Sequence, residues 1–264
     1  MIALVARSLG RVAAPLGALV AVLFGFQVAL IAVAASFSRS GEFERLAQIV
    51  PAALRPALAP ALTSFGSMAA LGYFDAIIVL MVVGWAIYVA TEPAADVESG
   101  LVDLVVARPV PRHRLITRSA VVSFGSTLAL TLAMGIGTLT GLWLLAPPGV
   151  AWPEGRLLWL MISHLTLLSW CVGAAALAVS AWTRRRAAAL AVVSIASMAL
   201  YLVDSLGLWW SPMEMAARLT PFYYFHGGPL IAGTSDPAQN LTVLGIATIV
   251  ALAVAYWRFE TRDL

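Results

Sequence analysis

Three ionisable side chains lie inside long apolar stretches of the sequence: Asp75, His164 and Asp204. A charged group that faces lipid costs a few kcal/mol or more, so each should face other helices, water or a partner. Such groups can contact a substrate or carry a proton. They can also make purely structural hydrogen bonds, which is the role we favour for both aspartates. A lone histidine is more often a satisfied interior group than a ligand.

The sequence lacks the motifs of common hydrolytic and metal-dependent enzymes. It has three histidines and one cysteine, Cys171, and it contains neither H-E-x-x-H nor G-x-S-x-G. A single cysteine excludes an intrachain disulfide and is expected to be a small buried apolar residue. We therefore predict no catalytic residue, no metal site and no cofactor bound by this chain. An intramembrane pair of Asp75 with Asp204 is the one enzymatic alternative.

The densest run of charge is the segment Glu92–Arg118, which lies between the apolar runs Gly66–Ala90 and Ser119–Leu145. Acidic residues open this segment and arginines close it, an order that complements the dipole of a helix. Because the flanking runs read as helices in lipid, we predict that the segment between them faces water and offers a surface for docking.

Within this segment the apolar residues Leu101, Leu104 and Val105 recur at spacings of three and four. That spacing predicts one apolar stripe on a short helix. Pro109 and Pro111 are expected to end the helix. The result would be an amphipathic helix whose stripe packs into a groove on another protein. An ordinary charged loop is the alternative.

The composition is that of an integral membrane protein: 61% of residues are hydrophobic and 11% are charged, against about 25% charged in soluble domains. A spanning helix needs roughly 20 apolar residues. We predict an all-α protein with six transmembrane helices in a single transmembrane domain, 1–264. The first apolar run is too long for a signal peptide and is read as a retained helix. The predicted spans are approximately 13–35, 66–90, 119–145, 157–182, 187–206 and 241–256.

The distribution of arginine orients the bundle. All sixteen basic residues are arginines, and a cytoplasmic N-terminus puts eleven of them inside and five outside. We therefore predict a multi-pass protein of the cell membrane with both termini in the cytoplasm. The arginines at 184–186 suit lipid headgroups rather than nucleic acid. Because there is no lysine, the chain has no intact P-loop, and any use of ATP belongs to a partner.

The last predicted outer loop, 207–240, carries an aromatic cluster that is followed by His226 and a Gly-Gly-Pro turn. We predict that this loop forms an outer gate or a re-entrant plug. Aromatic residues also collect at membrane interfaces, so an anchoring belt for the sixth span is the alternative. The candidate gate residues are Phe222, Tyr223, Tyr224 and Phe225.

The charged segment resembles a known signature. Glu98-Ser99-Gly100, the run Leu101–Val106 and Ala107-Arg108-Pro109-Val110 are similar to the E-x-G-T-L-E-L-L-L-S/A-x-P-V-S-R motif of ABC-2 type permeases, the membrane subunits of ABC exporters. The six-span layout is also similar. In that family the segment is a coupling helix that docks into an ATP-binding cassette subunit. By this match, the docking residues are Glu98, Gly100, Asp103, Leu104, Arg108, Pro109 and Arg112.

Three positions depart from the family pattern. Leu101 replaces the usual threonine and Pro111 the usual serine, which affects where the coupling helix begins and ends. Arg118 stands where a lysine is common, and it keeps the charge but changes the hydrogen-bond geometry.

The resemblance implies a permease subunit that is not itself an enzyme. ATP and Mg would be bound by the partner ABC ATP-binding subunits, and a second permease, identical or related, would complete the pathway through the lipid bilayer. No nucleic-acid partner is expected. The alternatives are a proton-coupled secondary transporter that uses Asp75 and Asp204, and a membrane enzyme or non-transporting assembly factor. Gly137 and Gly141 have the small-xxx-small spacing that permits close helix approach.

Overall fold

The structure is a computed structural model that describes residues 2–40, 64–99 and 113–261. Over these ranges the chain is helical and forms no strand. Six helices are long and apolar enough to cross a membrane. For the described residues, the prediction of an all-α fold with six helices able to span a membrane is therefore confirmed.

The helices alternate in direction between the two ends of a bundle, and short 3-10 turns at Ser211–Met213 and Tyr223–Phe225 lie between the last two long ones. Several spans extend beyond their predicted limits, because hydropathy marks only the apolar middle of a helix and not its polar turns. The α-helices are α1 (Ile2–Ser40), α2 (Phe65–Phe74), α3 (Ala76–Ala90), α4 (Glu92–Glu98), α5 (His113–Leu145), α6 (Gly155–Trp182), α7 (Arg186–Gly207), α8 (Glu214–Ala217), α9 (Gly227–Ile231) and α10 (Pro237–Glu260).

The second span is not one continuous helix. It stops at Asp75, whose backbone is extended (φ −61°, ψ 130°), and restarts as α3. The Asp75 carboxylate caps the new helix, since its Oδ1 accepts the backbone N–H groups of Ile77 at 3.0 Å and Ile78 at 3.2 Å. The cap supplies hydrogen-bond acceptors to amides that have no partner in the first turn. Asp75 therefore holds a break in the span.

The first and third spans pack closely at two glycines of α5. A Cβ atom on Gly137 would lie 2.7 Å from the carbonyl oxygen of Phe24, and one on Gly141 would lie 2.9 Å from the Cβ of Ile31. Only glycine fits at such distances. The small-xxx-small spacing thus serves packing between two helices of the same chain.

The core is centred on α6, the span with the largest buried share, whereas α7 and α10 are mostly exposed along their apolar lengths. In a membrane such exposed apolar faces are compatible with lipid and need no burial within the chain. The buried interior therefore lies among α1, α3, α5 and α6.

Candidate functional site

A cluster of ion pairs joins three spans at one end of the bundle. Arg118, at the start of α5, donates a hydrogen bond to Asp96 and lies 3.5 Å from Glu92. On its other oxygen, Glu92 accepts hydrogen bonds from Ser8 at 3.0 Å and Arg11 at 3.3 Å, both in α1. We call these five residues the acid–arginine cluster. It lies at the end that the arginine distribution predicts to be cytoplasmic.

All members of the cluster except Arg11 are buried, which corrects one expectation. Glu92 and Asp96 were expected to face water as the acidic start of a docking helix, but Glu92 is 8% exposed, Asp96 2% and Arg118 4%. Their spacing of four places both acids on the same face of α4, and this face turns towards Arg118. Buried carboxylates need a compensating charge, so the pairing with an arginine decides which way α4 faces.

Of the predicted docking residues, only Glu98 lies in the described part of the chain. It is exposed, and its Oε2 accepts the backbone N–H of Arg186 at 2.9 Å, at the start of α7. The Arg186 guanidinium also donates to the carbonyl of Tyr88 at 2.9 Å and lies 4.4 Å from the centre of that ring. The other predicted docking residues, Gly100, Asp103, Leu104, Arg108, Pro109 and Arg112, lie outside the described residues.

The opposite end of the bundle contains a cavity of about 400 Å³. It lies between the break in the second span, the last turns of α7 and the segment that includes α9. We call it the His226 cavity. It brings together Asp75 and Asp204, two of the predicted intramembrane polar residues, with Phe222 and Phe225, two of the predicted gate aromatics. Tyr223 and Tyr224 are not among its lining residues; their rings meet edge to face at 5.3 Å.

Asp204 is the most buried acid of this cavity, at 4% exposure. Its Oδ2 is 2.8 Å from Nε2 of His226. Its Oδ1 is buried and has no hydrogen-bond partner among the described residues. Aromatic rings surround the pair: Phe74 and Phe225 are 5.1 Å apart between ring centres, and Tyr201 meets Phe222 at 5.4 Å. The cavity is therefore lined by aromatic rings and by Asp204, whose Oδ1 is a hydrogen-bond acceptor without a donor among the described residues.

His164 does not join these aspartates. It is buried in α6, where its Nδ1 is 2.7 Å from the carbonyl oxygen of Leu160 and its Nε2 has no partner among the described residues. Cys171 is buried in the same helix. Within the described ranges, no group of three or more histidine, cysteine or acidic side chains is arranged to hold a metal ion.

Besides the acid–arginine cluster, two further polar contacts were not predicted from the sequence. The first is the partnership of Asp204 with His226, and its only signal was that both residues fall near the same predicted membrane face. The second lies deep in the bundle, where the Tyr73 hydroxyl is 3.0 Å from that of Thr138, which lies 3.4 Å from Oε1 of Gln27. Uncharged polar residues on three separate spans give no signal that identifies their partners.

Comparison with protein-family models, with curated proteins and with solved structures gives no match for this chain. The described residues thus support a helical protein with six helices able to cross a membrane, a buried ion-pair cluster at one end and an acidic, aromatic cavity at the other. These two sites and the sequence of the segment between α4 and α5 are the features of the chain that bear on its function.

Proposed function

We propose that this chain is the membrane-spanning permease subunit of an ATP-driven ABC exporter. A separate cassette ATPase would bind residues 98–112 and thereby drive the motion of the segment 92–114, whose Glu92 and Asp96 are buried. A second permease subunit would complete the pathway. The proposal starts from the motif-like sequence from Glu98 to Arg112, and the acid–arginine cluster supports it on physical grounds.

The observation that best supports this proposal is that buried ion pairs join the residues before the proposed docking segment to a residue after it. Glu92 and Asp96 precede residues 100–112 in α4, and Arg118 follows them in α5. Removing one partner of a buried pair costs about 3–5 kcal/mol, so the two ends resist separation. A force on the segment would therefore move α3, α4 and α5 together.

The same contacts extend to further spans. Arg11 links Glu92 to α1, and Glu98 holds the start of α7 through the backbone of Arg186. Movement of the docking segment would therefore be transmitted to four spans through direct contacts within the protein. This is how a chain without a P-loop lysine would use a partner's ATP.

The test is association with a cassette ATPase. We expect the chain to co-purify with a cassette ATPase, and Arg108→Ala to reduce both that association and ATP-dependent export at least tenfold. Arg185→Ala is the matched control, because Arg185 is an exposed arginine on the loop between α6 and α7 at the same predicted face. Glu98→Ala is a weaker test, since Glu98 also bonds to the start of α7.

Two results would contradict the proposal. One is intact association and export in the Arg108→Ala variant. The other is transport by the purified chain without any nucleotide-hydrolysing partner.

A proton-coupled secondary transporter is the second candidate, favoured by one observation: Asp75 and Asp204 line the same cavity. Carboxylates that exchange protons could couple such a cavity to a pH gradient. In this case, vesicles that contain only this chain would take up ethidium under an imposed pH gradient. Asp204→Asn would abolish the uptake, and a protonophore would do the same. Uptake that requires a cassette and ATP would exclude this candidate.

A further inference from the structure

We propose that the His226 cavity is a binding site for an organic ammonium ion with a compact apolar body. This inference concerns binding by the chain alone. It requires neither nucleotide nor a cassette partner, so it stands or fails separately from the export function proposed above.

The charge of the cavity favours a cation. Its ionisable lining residues are Asp75, Asp204 and His226, and no arginine of the described ranges lines it. A lining with two acidic residues, one histidine and no arginine favours a positively charged ligand over a negatively charged one. Asp75 caps α3, where the positive end of the helix dipole balances its charge. Asp204 is the acid that keeps one buried carboxylate oxygen without a hydrogen-bond partner among the described residues.

Asp204 also provides the geometry for a specific contact. Its carboxylate is more than nine-tenths buried, Oδ2 is occupied by His226, and Oδ1 has no donor among the described residues. A buried acceptor without a donor is unfavourable, and a ligand N–H placed there would remove that cost. An ammonium donor makes a charge-assisted hydrogen bond, which is stronger than a neutral one.

The walls of the cavity suit the apolar part of such a ligand. Phe74, Phe225, Tyr201 and Phe222 line it, and aromatic faces attract cations as well as hydrocarbon. A volume of about 400 Å³ lies within the 300–1,000 Å³ typical of small-molecule pockets, at the lower part of that range. An anion such as phosphate would meet the carboxylates and is disfavoured.

The experiment uses three matched probes on the purified chain in dodecyl maltoside: 1-naphthylmethylammonium, the alcohol 1-naphthylmethanol and the carboxylate of 1-naphthaleneacetic acid. By isothermal titration we expect the ammonium to bind saturably at one site per chain, at least tenfold more tightly than the alcohol, and the carboxylate not to bind. Asp204→Asn should weaken the ammonium at least tenfold and leave the alcohol unchanged.

The matched control is Asp236→Asn. Asp236 caps α10 through bonds to Ala238 and Gln239, as Asp75 caps α3, but it does not line the cavity. The Asp236→Asn variant should bind the ammonium probe as the unaltered chain does. Ser205→Phe is a second variant, which fills the cavity without removing charge and should block the ammonium even if Asp204→Asn fails to fold.

The source of the ammonium is tested with lipid. Added phosphatidylethanolamine should displace the probe if a lipid headgroup is the resident ligand, and should leave it bound if the site takes small molecules. Either outcome supports an ammonium site. Equal affinity for ammonium and alcohol, or full ammonium binding by a folded Asp204→Asn or Ser205→Phe variant, would overturn the proposal.

Discussion

Arg118 is the residue on which the polar interior at the predicted cytoplasmic end depends. It is the cation that contacts Asp96 and the more buried of the two cations near Glu92. Because Arg118 ends the charged segment, the sequence predicts that it is one more arginine of a water-facing surface. Burial changes that role, because an arginine shielded from water balances buried acids instead of facing water.

Replacing Arg118 by methionine should therefore leave two buried acids with little compensation. We expect a loss of stability of about 3–5 kcal/mol, typical of a broken buried ion pair. The measurement is the unfolding midpoint of the purified chain in a denaturant titration. The triple variant Glu92→Gln, Asp96→Asn, Arg118→Met removes the charges together and should recover much of the loss. A triple variant as unstable as Arg118→Met would show that packing, not charge, decides the effect.

At the scale of elements, the second span is divided by its own aspartate. Asp75 ends α2 and caps α3, and both halves contribute to the His226 cavity. The break places Asp75 at this cavity, beside apolar residues of both halves.

Substitutions at Asp75 separate capping from charge. Asp75→Ala removes the acceptor for the first amides of α3 and should cost about 0.5–2 kcal/mol of stability. Asp75→Asn keeps an acceptor and should stay close to the unaltered chain. Thermal unfolding in detergent measures both. Equal losses in the two variants would mean that the negative charge, not the hydrogen bonds, supports the break.

The pairing of α1 with α5 depends on the missing side chain of Gly137. Gly137→Ala would place a methyl group against the backbone of Phe24 and should cost about 1–3 kcal/mol through overpacking. Gly125→Ala is the control, because Gly125 lies in the same helix with no atom within 4 Å of the added group. We expect Gly125→Ala to be neutral or slightly stabilising in the same unfolding assay. Similar losses at both glycines would argue against close packing as the cause.

At the scale of the whole molecule, the orientation in the membrane is a prediction from the arginine distribution. The two polar sites lie at opposite ends of the bundle, so this orientation would place the acid–arginine cluster inside and the His226 cavity outside. The proposed docking residues 98–112 would then be on the same side as a cassette ATPase, and compounds outside the cell or in the outer leaflet would reach the His226 cavity.

Cysteine labelling checks the orientation. With the buried Cys171 replaced by serine, Arg185→Cys and Leu219→Cys each introduce one exposed thiol, in the loops before and after α7. A membrane-impermeant maleimide should label intact cells at position 219 but not at 185, and both after permeabilisation. The reverse pattern would remove the basis for a cytoplasmic docking segment.

The sequence by itself determined the class of the molecule. Long apolar runs, few charges and the spacing of polar loops predicted six helices able to cross a membrane, because a bilayer imposes length and polarity on every span regardless of what packs beside it. The small-xxx-small spacing of Gly137 and Gly141 also indicated that a helix can approach closely there, but not which helix does so.

Only the tertiary structure decided which polar residues meet. The sequence predicts that Glu92 and Asp96 face solvent, whereas in the structure α5 places Arg118 against them. The sequence gives no partner for Asp204, whereas in the structure the loop after α8 places His226 beside it. Nor does hydropathy reveal the break at Asp75, because one aspartate barely lowers the mean of a long apolar run. For the two pairings the physical reason is the same: a helix's period shows which residues share a face, but packing decides what that face contacts.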